Sequence, residues 1–102
     1  MNLETIKKLI IENDIFILYI KSRTCSVCIE LLPKVEEVSN AMNVNFADIY
    51  IEDNREVGTM YNVFSAPTII MFVMGKEVYR DGRFLRTAEL EDTISKYKNL
   101  LL

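Results

Sequence analysis

The chain has 102 residues, a length that fits one domain spanning residues 1–102 and able to bury roughly two-thirds of its unfolded surface without staples. Hydrophobic residues make up 50% and charged residues 26%, which excludes a disordered chain, and 12 basic against 15 acidic residues (net charge −3) exclude a general affinity for nucleic acid. The absence of histidine excludes Ser-His-Asp and Cys-His catalysis and the zinc sites that need an imidazole, leaving thiols, carboxylates, lysines and hydroxyls to carry any chemistry.

Leu3, Ile6, Leu9 and Ile10 recur at helical spacing behind Asn2, an N-capping residue, and predict a helix broken by Asn13-Asp14. Ile15 to Ile20 is continuously apolar and rich in β-branched and aromatic residues, which predicts a buried strand. Leu31, Leu32, Val35 and Val38 share one side of a helix predicted from Cys25 to about Ala41, with Pro33 inside it as a kink. Residues 45–51 read as a second strand and 54–61 as a short helix. Thr68 to Met74 is another buried strand, and Met74-Gly75-Lys76 a turn into a hairpin partner over residues 77–80. A last helix opens at Thr87, the expected N-cap, with Glu89, Glu91 and Asp92 near its positive end.

The order αβαβαββα, with continuous apolar strands between helices, predicts an α/β fold whose central, mainly parallel sheet is covered on both faces. IFILYI and TIIMFVM are far shorter than the ~20 residues of a membrane span. The opening MNLETIKKLIIENDIF mixes charges into its apolar positions, unlike a secretory signal. The expectation is a cytoplasmic protein with no membrane or nucleic-acid partner.

Both cysteines lie in SRTCSVCIELLP, Cys25 and Cys28 being three positions apart. A thiol attacks a disulfide as thiolate, and a second thiol nearby then releases the mixed disulfide. At a helix start, backbone N–H groups and the helix dipole lower the pKa of the first cysteine, and the second lies one turn on. Lys21 and Arg23 add positive charge nearby. A structural metal needs four ligands, of which this pair supplies two, so a metal site requires carboxylates or a second subunit. The third reading makes both cysteines small core residues. The sequence favours the redox pair.

With Cys25–Cys28, Pro33, the segment SAPT at 65–68 and the Gly75 turn at matching separations, nearly the whole chain resembles the thioredoxin family. The resemblance implies a thioredoxin-like fold, a mixed sheet of about four strands between helices, lacking the first strand of a full thioredoxin because this sequence opens with a helix. It implies a thiol-disulfide oxidoreductase working as a reductase. Cys25 and Cys28 are its redox couple, and it uses no metal or organic cofactor. A disulfide-containing protein is its substrate, an external thiol or disulfide reductase recharges it, and it acts as a monomer. Pro67 would be a cis-proline beside the cysteines and Ala66 would pair with extended substrate backbone, with Thr24, Ser26 and Val27 completing the binding surface.

Several positions depart from that pattern. Thr24 replaces the family's tryptophan, Ser26-Val27 replaces Gly-Pro, and the places of the buried aspartate and its lysine hold Tyr19 and Asp48. Asp48 is either a proton acceptor for Cys28, with the Tyr19 hydroxyl as its hydrogen-bond partner, or a solvated residue near the strand end. Loss of the tryptophan and the acid leaves a competing reading, a non-catalytic binding module on the same scaffold. Arg80, Arg83 and Arg86 form a basic cluster around Gly82, either a dock for an acidic partner or a solvated rim. Glu52-Asp53 is expected to face water.

Overall fold

A computed structural model describes residues 1–102. Helix α1 (Leu3–Glu12) starts where expected, because the Asn2 side chain accepts from the Thr5 amide at 2.9 Å. Strand β1 (Ile15–Lys21) leads into α2 (Ser26–Ala41), and β2 (Asn45–Tyr50) ends in a short 3-10 turn at Ile51–Asp53. Helix α3 (Arg55–Tyr61), the hairpin β3 (Thr68–Val73) and β4 (Lys76–Asp81), and α4 (Thr87–Leu100) complete the chain. Met74 and Gly75 both have positive φ (51° and 83°), the primed-turn geometry that matches the twist of a two-residue hairpin.

The sheet order is β2-β1-β3-β4. Only β1–β2 is parallel; β1–β3 and β3–β4 are antiparallel. The sheet is therefore a four-stranded mixed one, as the family resemblance implied, and the mainly parallel sheet expected from the apolar runs alone is corrected. A continuous apolar run signals burial on both faces, not direction, and the connection through α3 returns β3 antiparallel to β1.

Side-chain alternation along β1 sorts the core into two layers. Ile15, Ile17 and Tyr19 pack with Cys28, Leu31 and Val35 of α2 and with Leu90 and Ile94 of α4. Phe16, Leu18 and Ile20 pack on the other face with Ile6 and Ile10 of α1 and Val57 of α3. Pro33 lies inside α2 without ending it; the amide it lacks would have bonded the carbonyl of exposed Ile29, where water can serve instead.

One expected cap is corrected. The helix α4 is entered through Arg86, whose carbonyl already accepts from the Glu89 and Leu90 amides, so Thr87 is its first helical residue and no side chain caps it.

Ile17→Ala and Leu18→Ala delete neighbouring side chains that enter opposite layers, both fully buried. Each is expected to cost about 2–5 kcal/mol in urea unfolding, from lost transfer energy and the cavity left behind. A cost near zero for either would show that its layer is not packed.

Candidate active site

The site forms where β1 gives way to α2. Cys25 is the N-cap of α2, and its Sγ stands 3.1 Å from the Cys28 amide. The two cysteines form a disulfide with Cα atoms 5.3 Å apart. Cys28 is buried, whereas Cys25 is half-buried. Across from them the Ala66–Pro67 peptide bond is cis, and the Ala66 carbonyl oxygen lies 3.6 Å from Cys25 Sγ.

Thr24, Ser26, Val27 and Ala66 line an open groove of about 360 Å³ around Cys25. Pro67 is buried behind Ala66. Ser22 and Arg83 also line this groove. Sequence reasoning placed neither there, since both come from turns whose position only the tertiary fold sets.

The loop into the site is fixed by side chains from the 3-10 turn after β2. Glu52 accepts from the Ser22 hydroxyl (2.7 Å) and the Arg23 amide (3.0 Å). Asp53 takes the Arg23 guanidinium in a two-pronged pair (3.1 and 2.6 Å), and that guanidinium lies 4.1 Å from the Tyr50 ring centre. Glu52 and Asp53 face water, as expected, and are at the same time partners of the loop. The Ser22 hydroxyl holds the Glu52 carboxyl below its ordinary range, and Arg23 does the same for Asp53.

Beneath Cys28 the expected pairing of Tyr19 with Asp48 is also corrected. Tyr19 and Asp48 are register partners on β1 and β2, but the Tyr19 hydroxyl donates to the Cys28 carbonyl oxygen at 2.8 Å. Asp48 instead meets Lys21 Nζ at 2.6 Å, both partly buried. Lys21 lies two residues beyond Tyr19, so it shares the same face of β1 and reaches Asp48 across the strands. Lys21 of this pair, with Cys28, Pro33 and Tyr50, lines a second, smaller cleft. Burial, and secondarily the charge of Asp48, push the Tyr19 phenol up to about 12.

A disulfide that caps a helix and faces a cis-proline, on a mixed sheet between two helical layers, places the chain in the class of thioredoxin-fold proteins. Comparison gives the family itself: the profile described as "Thioredoxin" matches residues 2–96, and the chain belongs to the thioredoxin family. It is 28% identical over 100 residues to the thioredoxin-like protein YdfQ of Bacillus subtilis, covering 97% of this chain and 89% of that one. Thioredoxin of Fasciola hepatica superposes with a TM-score of 0.82 at 27% identity, covering 94% of each chain. A mutant thioredoxin of Halobacterium salinarum, at 24% identity, shows the same fold with a TM-score of 0.83 over 90% of this chain and 81% of that one. Family and disulfide together point to thiol-disulfide oxidoreductase chemistry. No helix is long and apolar enough to cross a membrane.

Tyr19→Phe removes a buried donor while keeping the ring. The expected cost is about 1 kcal/mol at neutral pH. Because folding raises the Tyr19 pKa, its contribution is complete below the ordinary tyrosine value of 10.0 and is lost as pH rises toward about 12. Urea unfolding between those limits should therefore show wild type losing more stability than the Phe variant; parallel pH profiles would refute the assignment.

Proposed function

We propose that the protein is a thiol-disulfide reductase of protein substrates, with Cys25 as nucleophile and Cys28 as resolving thiol. The observation that carries this reading is the asymmetry of the pair: Cys25 opens onto a groove while Cys28 lies buried one helical turn behind it. The Cys25 thiolate attacks one sulfur of the substrate disulfide, whose other sulfur leaves as thiolate and takes up a proton. Cys28 then loses its proton and attacks Cys25 Sγ, and the second substrate sulfur leaves. Two electrons pass to the substrate, and the Cys25–Cys28 disulfide remains to be reduced by an external thiol or disulfide reductase. The sulfurs themselves carry the electrons, so the reaction needs no metal or organic cofactor.

The groove suits an extended substrate segment laid along Ala66, Thr24, Ser26 and Val27, with Pro67 holding the loop behind it. The N-terminal amides of α2 and its dipole favour the thiolate at Cys25. Asp48, paired with Lys21, which lines the cleft at Cys28, is the carboxylate this reading assigns as acceptor of the Cys28 proton. Tyr19 acts on the Cys28 backbone and positions the turn that carries it.

Equilibration in graded thiol-disulfide buffers, read by alkylation and mass spectrometry, should give a single two-electron transition. A value near about −270 mV supports reduction, and one near about −120 to −180 mV supports oxidation or isomerisation instead. Cys28→Ser should accumulate the mixed disulfide through Cys25, and Cys25→Ser should abolish turnover. Replacement of the family's tryptophan and buried acid by Thr24 and Tyr19 favours a second reading, a binding module; wild-type protein that binds substrate without turnover would establish it.

Asp48→Asn should slow release of the mixed disulfide about a hundredfold or more and alter its dependence on pH between about 6 and 9, in line with the usual contribution of a general base. An unchanged rate across that range removes Asp48 from the mechanism.

A further inference from the structure

The groove beside Cys25 contains one charged side chain, Arg83, among hydroxyl and small apolar groups. Its place is set by a tight turn after β4. The Leu85 amide donates to the Gly82 carbonyl at 3.0 Å, which leaves Arg83 and Phe84 as the two central residues. Both ends of this turn are anchored. Leu85 is buried, and Gly82 packs so closely on the cis-proline loop that a Cβ there would sit 3.3 Å from the Pro67 carbonyl oxygen. The turn therefore holds its tip against the wall of the groove.

Arg83 also differs from its neighbours in having no acidic partner. Arg80 pairs with Glu77 and donates to the Tyr61 and Asn62 carbonyls, and Arg86 faces Glu89. The nearby Asp81 carboxylate is used by the Tyr79 hydroxyl and the Gly82 amide. Glu52, next to Ser22, is engaged by the Ser22 hydroxyl and the Arg23 amide. The Arg83 guanidinium instead lies 5.6 Å from the ring centre of Phe84, a side chain 84% exposed. An exposed guanidinium with no acidic partner, carried on an anchored turn at the Cys25 groove, is a receptor for a carboxylate, and the adjacent ring offers apolar contact.

We propose that Arg83 is a specificity determinant, selecting protein disulfides that carry an Asp or Glu side chain next to the cysteine attacked by Cys25. This rests on the reductase reading above. The net charge of −3 gives the molecule no general attraction for acidic partners, so the preference is local to this groove. The substrate is an extended acidic segment passing Ala66, its carboxylate on Arg83 and its disulfide over Cys25.

The test uses disulfide-linked peptide pairs identical except for Glu, Gln or Lys beside one cysteine. The fully reduced protein is mixed with each in single-turnover experiments, quenched with acid, alkylated and read by mass spectrometry. Wild type should reduce the Glu peptide about three- to fivefold faster than the Gln peptide at low salt, the range of one solvent-exposed ion pair, and the ratio should shrink in about 0.5 M salt. Arg83→Gln should bring the ratio to about one, and Arg83→Glu should invert it in favour of the Lys peptide. Equal Glu and Gln rates in wild type, or a preference that survives Arg83→Gln, would overturn this proposal and leave the reductase reading standing. Failure to reduce any of the peptides would overturn both.

Discussion

Strand β1 has no solvent-facing side, and the site inherits its position from that constraint. Its odd-numbered side chains enter one apolar layer and its even-numbered ones the other, so a slip of one residue would exchange the two layers. β2 and β3 flank it, one parallel and one antiparallel, which fixes its ends as well as its faces. The chain must therefore leave the sheet at Lys21, and α2 must begin at Ser26 after a short turn. Cys25 becomes a helix cap because the core leaves no alternative register.

The electrostatics around the cysteines are arranged unlike the family pattern. A neutral phenol occupies the position under Cys28, and the carboxylate has moved one strand over to a partly buried pair with Lys21. A buried, unpaired carboxylate is costly, whereas a tyrosine needs one acceptor and finds it in the Cys28 carbonyl. The charge thus stays at the edge of the core, where Lys21 and solvent both reach it. On the other side of the loop, Arg23, Asp53, Glu52 and Tyr50 form a connected clamp. This clamp orders the segment in which Thr24 stands in place of a large aromatic.

Much of this was legible in the sequence, for physical reasons. The runs around Leu18 and Ile70 are apolar at every position because both of their faces are buried, and Asn2 marks a helix start through local hydrogen bonding alone. The spacing of Cys25, Cys28 and Pro67 carried the site, because the fold brings these positions together. What could not be read depends on contacts between distant residues. Lys21 and Asp48 are 27 positions apart, Ser22 and Glu52 are 30, and neither partner advertises the other. Apolar runs alone point to a mainly parallel sheet because they report depth and not direction; the mixed sheet was legible only through the family resemblance. Thr87 looked like a cap by type, yet the Arg86 carbonyl had already opened the helix one residue earlier.

The cap at Cys25 has a consequence for how the molecule stores free energy. Helices are ordinarily closed by oxygen, from Ser, Thr, Asp or Asn, which takes no part in covalent change. Here the capping atom is a disulfide sulfur, and under the proposed function it gains and loses that bond, which rewrites the end of a 16-residue helix at each cycle. Oxidised and reduced protein are then two folding problems joined in one thermodynamic square. Whatever the folded state adds to the stability of one redox form over the other reappears as the difference in disulfide potential between the folded and unfolded chain. Folding equilibrium and electron affinity are two readings of the same atom.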